Sequence, residues 1–99
     1  MKDITVKLSR PLVDQEGKEH TEIVLSEPTG SQWDAIGKPF SVFMKGDQQI
    51  VDISNTRLTN YVSAVSGIDQ AVLRSLPLSD LQKLQDEMMN FFGEADTDS

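Results

Sequence analysis

The sequence predicts an α+β fold: an N-terminal antiparallel β-hairpin followed by three or four helices packed on one face of it. Three observations carry the prediction. Ile4, Val6 and Leu8 alternate with Thr5, Lys7 and Ser9, the period of two expected of a half-buried strand. A polar run, Asp14-Gln15-Glu16-Gly17-Lys18, turns the chain before a second alternating run from His20 to Leu25. Beyond Ser31 most apolar residues recur at helical spacing between glycine and proline stops. Two strands alone are marginal in water, so the helical remainder has to cover their apolar face.

The hairpin contains a conflict of register. Gly17 can take positive φ at no steric cost. A three-residue turn over Gln15-Glu16-Gly17 pairs Asp14 with Lys18, so paired residue numbers sum to an even value. The apolar faces contradict that sum. They are even-numbered on the first strand (Ile4, Val6, Leu8) and odd-numbered on the second (Ile23, Leu25). A slip of one residue turns every side chain to the other face, so either a bulge or a longer turn is required. Pro11 lacks an N–H and is tolerated at bulges, which places the bulge near Arg10-Pro11.

Pro28 ends the second strand, and Thr29 or Ser31 caps a short helix over Gln32 to Gly37, with Trp33 laid across the hairpin's apolar face or, as the alternative, in contact with a partner. Pro39 to Gln49 reads as a short helix, an extended piece or a mobile loop. Its Phe40, Val42, Phe43 and Met44 are either a contact surface or core filler. A long helix over Asp47 to Ser66 follows, with Ile50, Ile53, Leu58, Tyr61, Val62 and Val65 on one stripe. Its first half is poor in helix formers, so the start can be as late as Ser54, which would itself cap. Gly67 ends this helix. A short one capped by Asp69 runs to Leu76, and Pro77 stops it. Ser79, with Gln82 three residues on, predicts a capping box for a last helix. That helix carries Leu81, Leu84, Met88, Phe91 and Phe92 on its stripe, Met89 near the edge, and a stop at Gly93. The expected core is Ile4, Val6, Leu8, Ile23, Leu25, Trp33, Leu58, Val62, Leu81 and Leu84. One domain spans 1–93, and the acidic tail 94–99 is expected to be disordered.

Composition narrows the functions. The 99 residues contain no cysteine, so no disulfide or thiolate chemistry is available. The net charge of -7 argues against binding a nucleic-acid backbone, and the acidic residues are scattered rather than laddered. The start MKDITVKL shows no signal-peptide core, and no apolar run is long enough for a membrane span. The lone His20 is expected on an exposed strand face, beside Glu19 and Glu22. No nucleotide-binding, metalloprotease or hydrolase motif is present, and no metal or cofactor is expected.

The order of these pieces resembles a known family. LSRPLVDQEGKEHTEIVLSEPTGSQW is similar to the opening of the small tail assembly chaperones of contractile-tailed, Mu-like phages and prophages. Leu8 to Pro11, Glu16 to Lys18 and Leu25 to Thr29 supply the L-x-x-P, D/N-G-K and L-x-E-P-T pieces. Leu58 to Ile68 and Leu73 to Gln85 resemble the two later helices, while Lys38 to Gln49 has no clear counterpart. The resemblance implies a non-enzymatic role: binding apolar helical segments of the long tape-measure protein before the tail tube polymerises. It also implies residence in the cytoplasm of the bacterial host and a frameshifted longer form of the same chain as a possible partner, with Gly93 to Ser99 near the end of the short product. A structural tail component and an unrelated acidic protein-binding adaptor are the alternatives. Met adapts to varied partners and large apolar patches mark interaction sites. The expected partner-binding residues are therefore Phe40, Phe43 and Met44, together with Met88, Met89, Phe91 and Phe92. At least one cluster is expected to be partly exposed or covered only by a second copy in a homo-oligomer.

Overall fold

The computed structural model describes the backbone of residues 3–97 and the side chains of residues 3–92. Strand β1, Ile4–Val13, pairs antiparallel with β2, Glu19–Leu25. Near the turn, Val13 faces Glu19, which gives the even sum. Near the open end, Val6 faces Ile23 and Ile4 faces Leu25, an odd sum. The change occurs between Lys7 and Leu12, where four residues of β1 lie opposite Thr21 alone. The bulge is therefore where Pro11 places it, but it holds three extra residues rather than one. Any odd number reverses the faces.

The turn is built by Asp14. Its Oδ1 accepts the backbone N–H groups of Glu16 and Lys18, each at 2.9 Å, and Gly17 takes φ 82. Gln15 reaches out of the turn. Its amide nitrogen donates to the Gly67 carbonyl and its oxygen accepts the Asp69 N–H. The hairpin tip is thereby tied to the helical half.

Helix α1, Gly30–Ile36, is capped by Thr29 in a full capping box with Gln32. Strands β3, Phe40–Lys45, and β4, Gln48–Ile53, then form a second two-stranded sheet. This corrects the reading of Asp47–Ile53 as helix and settles the Pro39–Gln49 segment as mostly extended. Helix α2, Asn55–Ser66, starts at the later of the two expected positions. Ser54 accepts the Arg57 N–H, and Gly67 closes the helix in the left-handed conformation. Helix α3, Gln70–Leu73, is one turn long. Helix α4, Leu78–Thr97, begins ahead of Ser79, so Ser79 is not its cap, and its backbone continues through the expected stop at Gly93. The expected disorder of 94–99 concerns residues that lie in part outside those described.

Helix α2 is the centre of the packing and touches α1, α3, α4 and β2. Tyr61 and Val62 are fully buried, together with Leu25, Leu73, Leu84 and Met88. Of the expected core, Val6, Ile23, Leu25, Leu58, Val62 and Leu84 are buried, and Ile4, Leu8 and Leu81 pack partly against them. Trp33 is the exception at 39 % exposed. It does not cover the hairpin but leans on the Phe92 ring, with centroids 5.7 Å apart. Leu12, Ile68, Leu73 and Leu76 join the core without having been expected there.

One buried charge holds the two ends of the chain together. Asp80, in the first turn of α4, is fully buried. Its carboxylate accepts the Ser9 N–H at 3.1 and 3.2 Å and the Ser9 hydroxyl at 2.8 Å. Ser9 lies in the bulge, where its N–H has no partner across the sheet. The start of a helix is also where a negative charge is favoured. The bulge thus creates an unpaired donor, and α4 supplies the acceptor.

Candidate functional site

The seven expected partner-binding residues fall in two places. Met88 is fully buried, and Phe91 and Phe92 are 7 % and 8 % exposed. Phe92 stacks edge-on against Tyr61 at 4.9 Å between centroids. These three are core residues, and Met89 packs partly against them. The outer edges of Phe91 and Phe92 line a shallow groove with Trp33, Pro28 and Gly30.

The other three belong to the β3–β4 hairpin, which packs chiefly on itself and forms an arm. Phe40 is half-buried at its root, against the core and under the Lys38 ammonium at 5.0 Å from the ring. Phe43 and Met44 are exposed, as are Val42, Val51 and Ile53. Phe43 and Met44 point to opposite faces of the ribbon, because they are adjacent in a strand. The sequence reading found the apolar residues of β3 but missed Val51 and Ile53 as their partners. A signal was available: Gly46-Asp47 between two alternating runs is a two-residue hairpin turn. Gly46 takes φ 64 at the first central position, as a type II′ turn requires.

The arm's root is held by hydrogen bonds to α2. Three consecutive carbonyl groups are each captured by the start of α2 or the residues of its first turns. Gly37 O accepts the Tyr61 hydroxyl at 2.7 Å, Lys38 O accepts Arg57 Nη1 at 2.9 Å, and Pro39 O accepts the Ser54 N–H at 2.7 Å. Burial raises the Tyr61 hydroxyl above its ordinary pKa, with the Arg57 charge opposing, so it remains a donor at neutral pH. These three bonds tie the root of the arm to α2.

His20 bonds Asp14 at 2.7 Å, and that contact, followed by the Lys18 N–H, holds the Asp14 carboxyl below its ordinary pKa. This is a turn-bracing pair. Among the described residues no group of three or more His, Cys, Asp or Glu is placed to hold a metal ion. Among them, too, no helix is long and apolar enough to cross a membrane.

Comparison with protein-family models matches residues 5–93 to the family described as phage tail assembly chaperone proteins, E, or 41 or 14. The comparisons with curated proteins and with solved structures each gave no match.

Proposed function

The chain belongs to the phage tail assembly chaperone family, and on that premise we propose that it binds apolar helical segments of the tape-measure protein before the tail tube polymerises. The role is assembly rather than catalysis, exercised in the cytoplasm of the bacterial host. The observation that carries the reading is the arm, whose Phe43 and Met44 are 49 % and 64 % exposed in a chain with a well-filled core. Exposed apolar side chains on a projecting ribbon suit a partner that is itself apolar and aggregation-prone. Phe40 anchors the arm's base. The groove edged by Phe91 and Phe92, with Met89 nearby and Met88 beneath, is a second and smaller contact on this proposal.

A pull-down of the tape-measure protein tests it. Phe43→Ser and Met44→Ser should each weaken capture several-fold while leaving the thermal melt nearly unchanged. Phe92→Ser, by contrast, should lower the melt, because it empties a core site. Capture unchanged in both arm variants would remove the arm from the mechanism. Mass spectrometry of finished particles separates this role from a structural tail component, since a chaperone is absent from them. Failure to co-purify with tail proteins from infected cells would favour an adaptor unrelated to the tail.

A further inference from the structure

Helix α1 alone among the helices has no buried residue. Only Gln32 and Ile36 are half-buried in it, and Ile36 touches the core from its edge. Its hydrogen bonds are its own. Thr29 and Gln32 cap it reciprocally, and among the described residues none of its side chains bonds another element. The chain is fastened on either side of it. Leu25 is fully buried before it, and the Gly37 carbonyl is held by the Tyr61 hydroxyl after it. Residues 26–36 are a strap between two fixed points.

The strap lies over apolar surface. Trp33 leans on Phe92, which itself rests on Tyr61. On the other flank α1 and α2 leave a groove bordered by Gln32, Ile36 and Asn60. Asn60 Oδ1 is buried without a hydrogen-bond donor among the described residues. A buried unpaired acceptor costs stability, and lifting α1 returns it to water. Segments with few buried apolar contacts open at a lower cost than global unfolding. A helix of seven residues is too short to persist once detached, so α1 lifts and melts in one step.

We propose that α1 is a lid, which opens while the rest of the fold stays closed, uncovers Phe92 and the adjoining face of α2, and yields its seat to a helical segment of the tape-measure protein. The inference rests on the function proposed above and adds a gate to the groove edged by Phe91 and Phe92. The occupant is a helix because the seat is already shaped to one, and α1 fills it poorly. A helix with larger apolar residues than Ala35, and with a donor for Asn60, gains contacts that α1 lacks. Apparent affinity then follows the open fraction of the lid.

Two substitutions move that fraction in opposite directions. Gly30 lies outside the left-handed region, and an added Cβ there meets nothing within 4 Å. Gly30→Ala should lower the opening roughly two- to fivefold. Ala35→Gly, at an exposed position, should raise it about fivefold. Native-state hydrogen exchange reads both. In the parent chain the amides of Trp33–Ile36 should exchange about tenfold or more faster than those of Tyr61–Val65, and should stay constant in low urea while the latter accelerate. Exchange of α1 as slow as that of α2, or rising with urea in step with it, overturns the lid. Capture of the tape-measure protein below saturation should rise in Ala35→Gly and fall in Gly30→Ala by the same factors. Capture equal in the two variants, with exchange as expected, overturns the gating. A parent chain that captures nothing refutes the proposed function and its occupant, while exchange still decides whether α1 opens.

Discussion

Replacing Asp80 tests the link between the two ends of the chain. Asp80→Ala removes the acceptor for the Ser9 N–H and for its hydroxyl. Hydrogen bonds to a charged group contribute about 1.5–3 kcal/mol each. Two of them give an upper bound of roughly 3–6 kcal/mol, but two effects reduce it. Ser9 is exposed, so its freed donors can turn to water, and the variant no longer buries a carboxylate. Lys83 Nζ, at 4.0 Å and largely exposed, adds little. A net loss of ~2 kcal/mol is expected, which for a domain of this size lowers Tm by roughly 8–16 °C. Asp80→Asn, which keeps one acceptor oxygen, should fall between, and Ser9→Ala should cost about 1 kcal/mol. Circular-dichroism melts of the two alanine variants and their double mutant give the coupling directly. Hydrogen exchange at the Ser9 amide should be faster in Asp80→Ala than in the parent chain. A melt unchanged within 2 °C, or strictly additive effects in the double mutant, would show that the carboxylate does not hold the bulge.

Three further outcomes are expected. Gly37 has φ 94 and ψ 170, a region open essentially to glycine, so Gly37→Ala should cost ~1–3 kcal/mol in strain. Its new Cβ would meet the Arg57 guanidinium at an ordinary 3.6 Å, so a clash is not the cause, and Arg57→Ala should fail to rescue the melt. Tyr61→Phe leaves the Gly37 carbonyl without its donor and should cost ~1–2 kcal/mol; amide exchange in β3 and β4 unaltered by it would separate the arm from its root. The Asp14 carboxyl binds its proton less readily folded than unfolded, so its stabilisation is complete above the ordinary value of 3.8 and is lost as pH falls through the lower folded value. Asp14→Asn should therefore flatten the loss of stability as pH falls below 3.8, and superimposable acid-unfolding curves would contradict this.

Much of the first hairpin was legible because strand pairing has a parity. Ile4, Val6, Ile23 and Leu25 had to share a face, and Asp14-to-Lys18 turn chemistry forbade it without a bulge. Parity fixes only that the insertion is odd, which is why three extra residues could stand where one was expected. The second hairpin was missed through a coincidence of spacing. Ile50, Ile53 and Leu58 fit a helical stripe, yet Val51 and Ile53 alternate just as well against Val42 and Phe40. Gly46-Asp47 was the deciding signal, and it was read as a mere interruption. Trp33 misled because size suggests burial, whereas a seven-residue helix with no buried residue leaves its ring at the rim. The candidate contact residues divided for a related reason. Met88, Phe91 and Phe92 lie on the stripe that a long amphipathic helix turns inward, and nothing in composition distinguishes that stripe from a groove. The Ser9–Asp80 bond was not legible, since no local pattern announces which carboxylate will meet a bulge 71 residues away.

The position of α2 in the chain has a consequence for how the protein comes into being. The first hairpin is complete at Leu25, but the helices that cover it pack through α2, and the last of them runs to Thr97. At the ~5–20 residues per second of synthesis, some 72 residues separate the two events, so the apolar hairpin face stays uncovered for roughly 4–14 s. The arm is likewise made before Arg57 and Tyr61 exist to hold its root. For that interval the nascent chain carries its own apolar surface uncovered. Ribosome-bound chains stalled at Gly67 should be cut rapidly by protease, and chains stalled well beyond Ser99 should resist. Equal resistance of the two would show that the N-terminal half folds before its cover arrives.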